Sequence, residues 1–157
     1  MRSRRIGVAV AVAFAVVATA AMRSREQQQQ GLPAGADDVA ARLQSSPRHG
    51  QRVTVKVGAD SVRAYLVYPE RRERAPVVVV IHEIYGLSNW VRGVADQLAA
   101  DGFIPIAPDL LTMKNVPQNA EGEPGREAAT AAIRALGATW AQRAARLGAA
   151  YAMALPA

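Results

Sequence analysis

The chain has 157 residues, enough for one domain of ordinary size and too few for two. Hydrophobic residues make up 50% and charged residues 20%, which excludes a wholly disordered chain, and the 12 glycines and 9 prolines follow no period, which excludes fibrous repeats. Cysteine is absent, so there is no disulfide, no thiolate metal site and no thiol nucleophile; with only two histidines, His49 and His82, neither a metal nor a cofactor is expected.

The net charge of +6 invites a nucleic-acid reading, but its distribution opposes one. Arg2, Arg4, Arg5, Arg23 and Arg25 flank one apolar run, with only Glu26 against them. Removing these from the totals of 19 basic and 13 acidic groups leaves 14 and 12 for residues 27–157. Mixed charges of that kind describe a solvated surface rather than a phosphate-binding face.

In chain order, the first element is a targeting segment. Ile6 to Ala18 carries no charge, three arginines precede it, and Ala18-Thr19-Ala20 follows with small residues where a signal peptidase reads. The apolar run to Met22 has the length of a minimal membrane span. Residues 1–22 are therefore expected to be a signal peptide or an uncleaved N-terminal anchor, the chain's one link to a membrane. The folded part is expected outside the cytoplasm, periplasmic or secreted. Residues 23–50 read as a linker, with a polar glutamine run at 27–30 and breaks at Gly31, Pro33 and Gly35. Within it, Asp37 or Asp38 caps a short helix carrying Val39, Ala40 and Leu43.

From residue 51 the pattern becomes that of an α/β domain. Val53, Val55 and Val57 alternate with polar residues, and after a turn at Gly58-Ala59-Asp60 the alternation resumes from Val62 to Tyr68, which predicts a hairpin. Val77 to Ile81 is a continuous β-branched run and suits a strand covered on both faces. Ser88 or Asn89 caps a helix with Trp90, Val91, Val94, Ala95, Leu98 and Ala99 on its apolar side, and Gly102 ends it. Phe103 to Ala107 is the next strand, completing a βαβ unit in a mostly parallel sheet. Lys114 to Gly125 is a loop. Glu127 to Ala154 is an alanine-rich helix with a break at Gly137 or Gly148.

In such sheets ligands bind beyond the carboxyl ends of strands, which here means His82-Glu83-Ile84-Tyr85-Gly86-Leu87. A glutamate directly after a buried strand is costly unless it is paired or functional, and Gly86 permits a sharp turn that can aim amides at a substrate oxygen. A zinc motif is excluded, because Gly86 stands where H-E-x-x-H needs its second histidine.

Ala75 to Leu111, APVVVVIHEIYGLSNWVRGVADQLAADGFIPIAPDLL, resembles the dienelactone hydrolase family of the α/β-hydrolase fold. The hydrophobic strand, the H-E-I-[YF]-G loop, the helix ending A-x-x-G-[FY] and the A-P-D-L strand exit carry the likeness together. It extends loosely over the hairpin and the last helix, and implies the N-terminal part of such a domain, residues 51–157, as a truncated form. The resemblance implies that Glu83 contacts the resting nucleophile and that the Ile84 amide forms half of an oxyanion hole. It implies that Arg126 binds a substrate carboxylate. His82 matches a frequent family histidine outside the triad, and Asp109 a structural aspartate. The implied reaction is hydrolysis of a small-molecule ester or lactone.

The sequence departs from the family in three places. No cysteine or serine stands on a G-x-[CS]-x-G elbow, and the triad acid and histidine have no match. Pro105 removes a donor from a strand expected to be paired on both sides. Gly137, Ala138 and Gly148 stand where a more charged helix is expected. The alternative to a fragmentary hydrolase is a non-catalytic exported module or a non-functional truncated product. Four strands of an open sheet also leave an apolar edge bare, so the chain alone is expected to be aggregation-prone or partly molten.

Overall fold

The computed structural model describes residues 35, 37–57, 59–71, 73–120 and 122–155. The expected signal segment and the first part of the expected linker lie outside the described residues. The elements are α1 (Val39–Ser45), β1 (His49–Val57), β2 (Asp60–Tyr68), β3 (Val77–Val79), α2 (Asn89–Ala100) and β4 (Ile104–Pro108). A short 3-10 turn (Thr112–Lys114), α3 (Arg126–Arg134) and α4 (Ala138–Met153) complete the chain. No helix among the described residues is long and apolar enough to cross a membrane.

The sheet runs β1-β2-β4-β3. The β3–β4 pair is parallel, with Val77 opposite Ile104, and the hairpin continues the sheet antiparallel through β2. Helices cover both faces, as strand alternation dictates. Ala64 and Leu66 of β2 and Ile106 of β4 point to one side, where Ala152 of α4 packs on them. Val67 and Ala107 point to the other, against Ala95 and Ala99 or Val91 of α2.

Local chemistry fixes the βαβ crossover. The Ser88 hydroxyl accepts from the Val91 amide at the start of α2. At its end the Gly102 amide reaches Ala99 O and the Phe103 amide reaches Leu98 O, a Schellman closure that needs the positive φ of 91° at Gly102. Trp90, expected on the buried side of α2, is instead 45% exposed.

Pro105 fits its strand because of alternation. Ile104 N–H donates to Pro76 O and Ile106 O accepts from Val80 N–H, so these two residues face β3. Pro105 faces β2, and the β2–β4 ladder ends at Leu66 opposite Ile106, one residue before a donor is wanted.

The last helical stretch breaks at Gly137, the N-cap of α4, and runs unbroken through Gly148. Gly148 is buried, and a Cβ there would stand 2.8 Å from Pro108 Cγ. The thin alanine face of Ala144, Gly148 and Ala152 is thus a close-packing face that lets α4 lie directly on the sheet.

From Asp37 the described chain is packed rather than linking. Val39 is buried over Gly93 of α2, and Arg48 makes a two-pronged ion pair with buried Asp96, at 3.1 and 2.6 Å. Those partners lie some fifty residues on, where spacing along the chain does not reveal them.

Candidate active site

β3 and β4 both deliver their carboxyl ends to one side of the sheet, and His82 ties the two exits together. Its ring is fully buried. The Leu110 amide can only donate, so Nε2, 3.0 Å away, is the acceptor; Nδ1 therefore carries the proton it gives to Glu83 O at 2.9 Å. The ring is the neutral Nδ1–H tautomer in this arrangement, and Asp109, 3.9 Å from Nε2, gains no charged partner there. Asp109 is committed elsewhere: Arg63 donates to Oδ2 and the Leu111 amide to Oδ1, both at 3.0 Å. This matches the structural part implied for it.

Beyond His82 the chain turns back on itself. The Tyr85 amide donates to Glu83 Oε2 at 2.7 Å and the Gly86 amide to Glu83 O at 3.2 Å. Gly86 has φ of 78°, and a Cβ there would stand 2.8 Å from Pro124 Cγ, so both conformation and space demand glycine. The turn leaves Glu83 exposed at its apex. Among the described residues the Ile84 amide has no hydrogen-bond partner, while its side chain is 44% exposed.

The loop expected between Lys114 and Gly125 folds over this turn. Asn119 and Glu123 close it reciprocally: the Glu123 amide donates to Asn119 Oδ1 at 2.8 Å and the Asn119 amide to Glu123 O at 2.9 Å. The Glu123 carboxylate then accepts from the Asn89 amide at 2.5 Å, a favourable place for negative charge at the first turn of α2. Directly after it Arg126 opens α3, and its guanidinium lies 4.8 Å from the centre of the Tyr85 ring, a cation–π contact.

These pieces enclose a cleft of about 600 Å³. Glu83, Tyr85, Trp90 and Arg126 line it, together with Val39 and Ala40. Glu83 and Arg126 therefore share one cleft; the Ile84 side chain lies outside its lining. Nearby, burial and the neighbouring Arg52 hold the Arg92 guanidinium below its ordinary value, with Glu123 and Tyr65 opposing. No group of three or more potential metal-ligating side chains occurs among the described residues.

Sequence reasoning missed Trp90, Glu123 and the α1 residues. The signal available for Trp90 was its place next to the Ser88 cap, where a large ring at the first turn faces the strand exits. Glu123 left no local signal, and α1, legible as a short helix, gave none of its place at the cleft.

The sequence model of the Dienelactone hydrolase family matches residues 62–155. Over 56 residues the chain is 43% identical to "Putative hydrolase fragment YghX" of Escherichia coli K12, covering 35% of this chain and 48% of that protein. Over 88 residues it is 32% identical to "Putative carboxymethylenebutenolidase" of Salmonella typhi, covering 55% of this chain and 28% of that protein. A crystal structure titled as a putative dienelactone hydrolase from Klebsiella pneumoniae superposes with a TM-score of 0.56 at 18% identity, over 68% of this chain and 44% of that one, and bears on the fold alone. The matched part covers less than half of each of these proteins.

Proposed function

Because this chain belongs to the dienelactone hydrolase family, we propose that it supplies the strand-exit half of an exported hydrolase site acting on ester or lactone bonds of small carboxylates. The observation that carries this reading is the convergence of Glu83, Tyr85 and Arg126 on one cleft, beside an Ile84 amide without a partner. Arg126, presented by the start of α3, receives the substrate carboxylate as a charge-assisted pair. The Ile84 N–H donates to the oxygen that becomes negative when a nucleophile attacks the scissile carbonyl. Glu83 faces the place a nucleophile would occupy and biases its ionisation.

The nucleophile and its base are not supplied by these residues. Cysteine is absent, and Ser88 is spent as a helix cap. Both nitrogens of His82 are engaged, and His49 lies on β1, remote in sequence from the site. The same facts favour a second reading, in which the chain alone binds carboxylates without turning them over. The Arg-flanked apolar segment at the N-terminus supports export in either case.

The test measures binding and turnover together. The full chain should bind benzoate, and Arg126→Ala should weaken that binding about tenfold, the scale of one charge-assisted hydrogen bond. Hydrolysis of an activated ester and a lactone should stay at the buffer rate. Turnover well above that rate, lost in Glu83→Gln, would show a catalytic site complete within this chain. Benzoate binding indifferent to Arg126 would overturn the carboxylate assignment. For export, N-terminal sequencing should find a mature chain starting near Ala21, and an intact Met1 on a soluble cytosolic product would contradict it.

A further inference from the structure

We infer that α1 is a selectivity wall of this cleft: a fixed helix, seated on α2, that limits how large an acid or acyl group can lie against Trp90. The inference rests on the cleft being a carboxylate site, as proposed above, but its observations are separate. The family match begins at residue 62, so α1 precedes it and is an addition to the matched part. α1 nevertheless contributes Val39 and Ala40 to the lining, and Trp90, which also lines it, stands on α2 about one turn before the Gly93 that seats Val39.

Three features hold the wall in place. Val39 is 3% exposed and sits over Gly93, where any Cβ would collide with it, so the seat exists only because α2 lacks a side chain there. Asp96, one turn further along α2, accepts both prongs of Arg48 and the Ser46 hydroxyl, at 3.1, 2.6 and 2.5 Å. Arg42 of α1 itself donates to Gln97 Oε1 at 2.8 Å. The direct hydrogen bond to Asp96, with the nearby carboxylates of Asp96, Glu70 and Asp101, raises the Arg48 guanidinium above its ordinary value against the opposing effect of burial. A wall anchored by a seat and a two-pronged ion pair keeps its distance from Trp90, and that distance sets the room for a ligand's apolar part. Ala40 differs from Val39 in being exposed, so it presents a methyl group to the cleft without being part of the seat.

The experiment measures Kd by tryptophan fluorescence for benzoate, 2-naphthoate and biphenyl-4-carboxylate, with the corresponding neutral amides as a second series. The proteins are the full chain and its Ala40→Phe, Gly93→Ala and Arg126→Ala variants. Ala40→Phe, at an exposed position, should weaken the two larger acids about tenfold relative to benzoate, the scale of one pocket-filling group. Gly93→Ala, which unseats Val39, should shift preference towards the larger acids. Arg126→Ala should weaken all three acids and leave their rank unchanged. If Ala40→Phe and Gly93→Ala both leave the rank order as it is while Arg126→Ala still weakens binding, the wall is wrong and the carboxylate site stands. If the acids bind no better than the amides, the carboxylate site is wrong, and the rank order of the amides in the same variants decides the wall. If neither series binds, the wall is overturned as well.

Discussion

β4 and β3 lie side by side in one parallel pair and are built from similar apolar residues, yet they are covered very differently. Pro105, Ile106, Ala107 and Pro108 of β4 are all buried, whereas Val77, Val78 and Val79 of β3 are half-buried and Ile81, just beyond, is 54% exposed. The difference is one of neighbours. β4 has a strand on each side and a helix on each face; β3 has β4 alone among the described strands. An unbroken β-branched run states what a strand can tolerate, and only its partners state what it obtains.

The comparison can be broken most forcefully in β4. Ile106→Ala, at a site with no exposure, should destabilise the chain by about 2–5 kcal/mol in chemical denaturation, whereas Ile81→Ala should stay within about 0.5 kcal/mol. Equal losses at the two positions would mean that β3 is covered in solution by something the described residues do not include. A smaller effect is expected where α4 meets β4. Gly148→Ala places a Cβ 2.8 Å from Pro108 Cγ and should cost about 1–3 kcal/mol, because neither helix nor proline ring can yield freely. A neutral or stabilising result would show that α4 floats on the sheet.

Ile81→Lys sharpens the comparison from the other side. It should leave the unfolding midpoint nearly unchanged while lowering light scattering and sedimenting aggregate, since a charge beside a bare strand edge opposes edge-to-edge pairing. Unchanged aggregation would assign the sticking surface elsewhere. The smallest effect concerns Tyr65, which pairs with Ala107 of β4. Burial, aided by Asp96, raises its phenol above the ordinary 10.0. The folded state therefore favours the neutral phenol; its contribution is complete below pH 10.0 and is lost as pH rises through the raised value. Thermal unfolding midpoints should fall on that alkaline limb, and Tyr65→Phe should remove part of the fall.

What the sequence made legible is what short-range chemistry decides. Ser88 starts α2 and Gly102 ends it because caps act within one turn, and the four strands follow from alternation and from the β-branched run. Gly137 and Gly148 were equal candidates for a helix break, and only the presence of Pro108 beneath Gly148 separates them. Trp90 carries a hydrophobic side chain on the expected stripe, but the stripe gives no information on whether a cleft or a core lies opposite. Within the site, the loop from His82 to Leu87 could be located from its place after β3. The approach of Arg126 depends on how the intervening loop folds back through Asn119 and Glu123, which spacing cannot convey. The docking of α1 depends on Gly93 and Asp96, residues that read as ordinary members of an amphipathic helix.

His82 sets a rule for replacement at its position. The ring offers a donor to one strand exit and an acceptor to the next, so any successor must present both polarities in one side chain. Glutamine does, through its amide nitrogen and oxygen; leucine and phenylalanine fill the space but strand a backbone amide and a carbonyl together, and lysine answers only the carbonyl. The alphabet available at residue 82 is therefore written by the main chain around it, independently of any ligand that visits the loop.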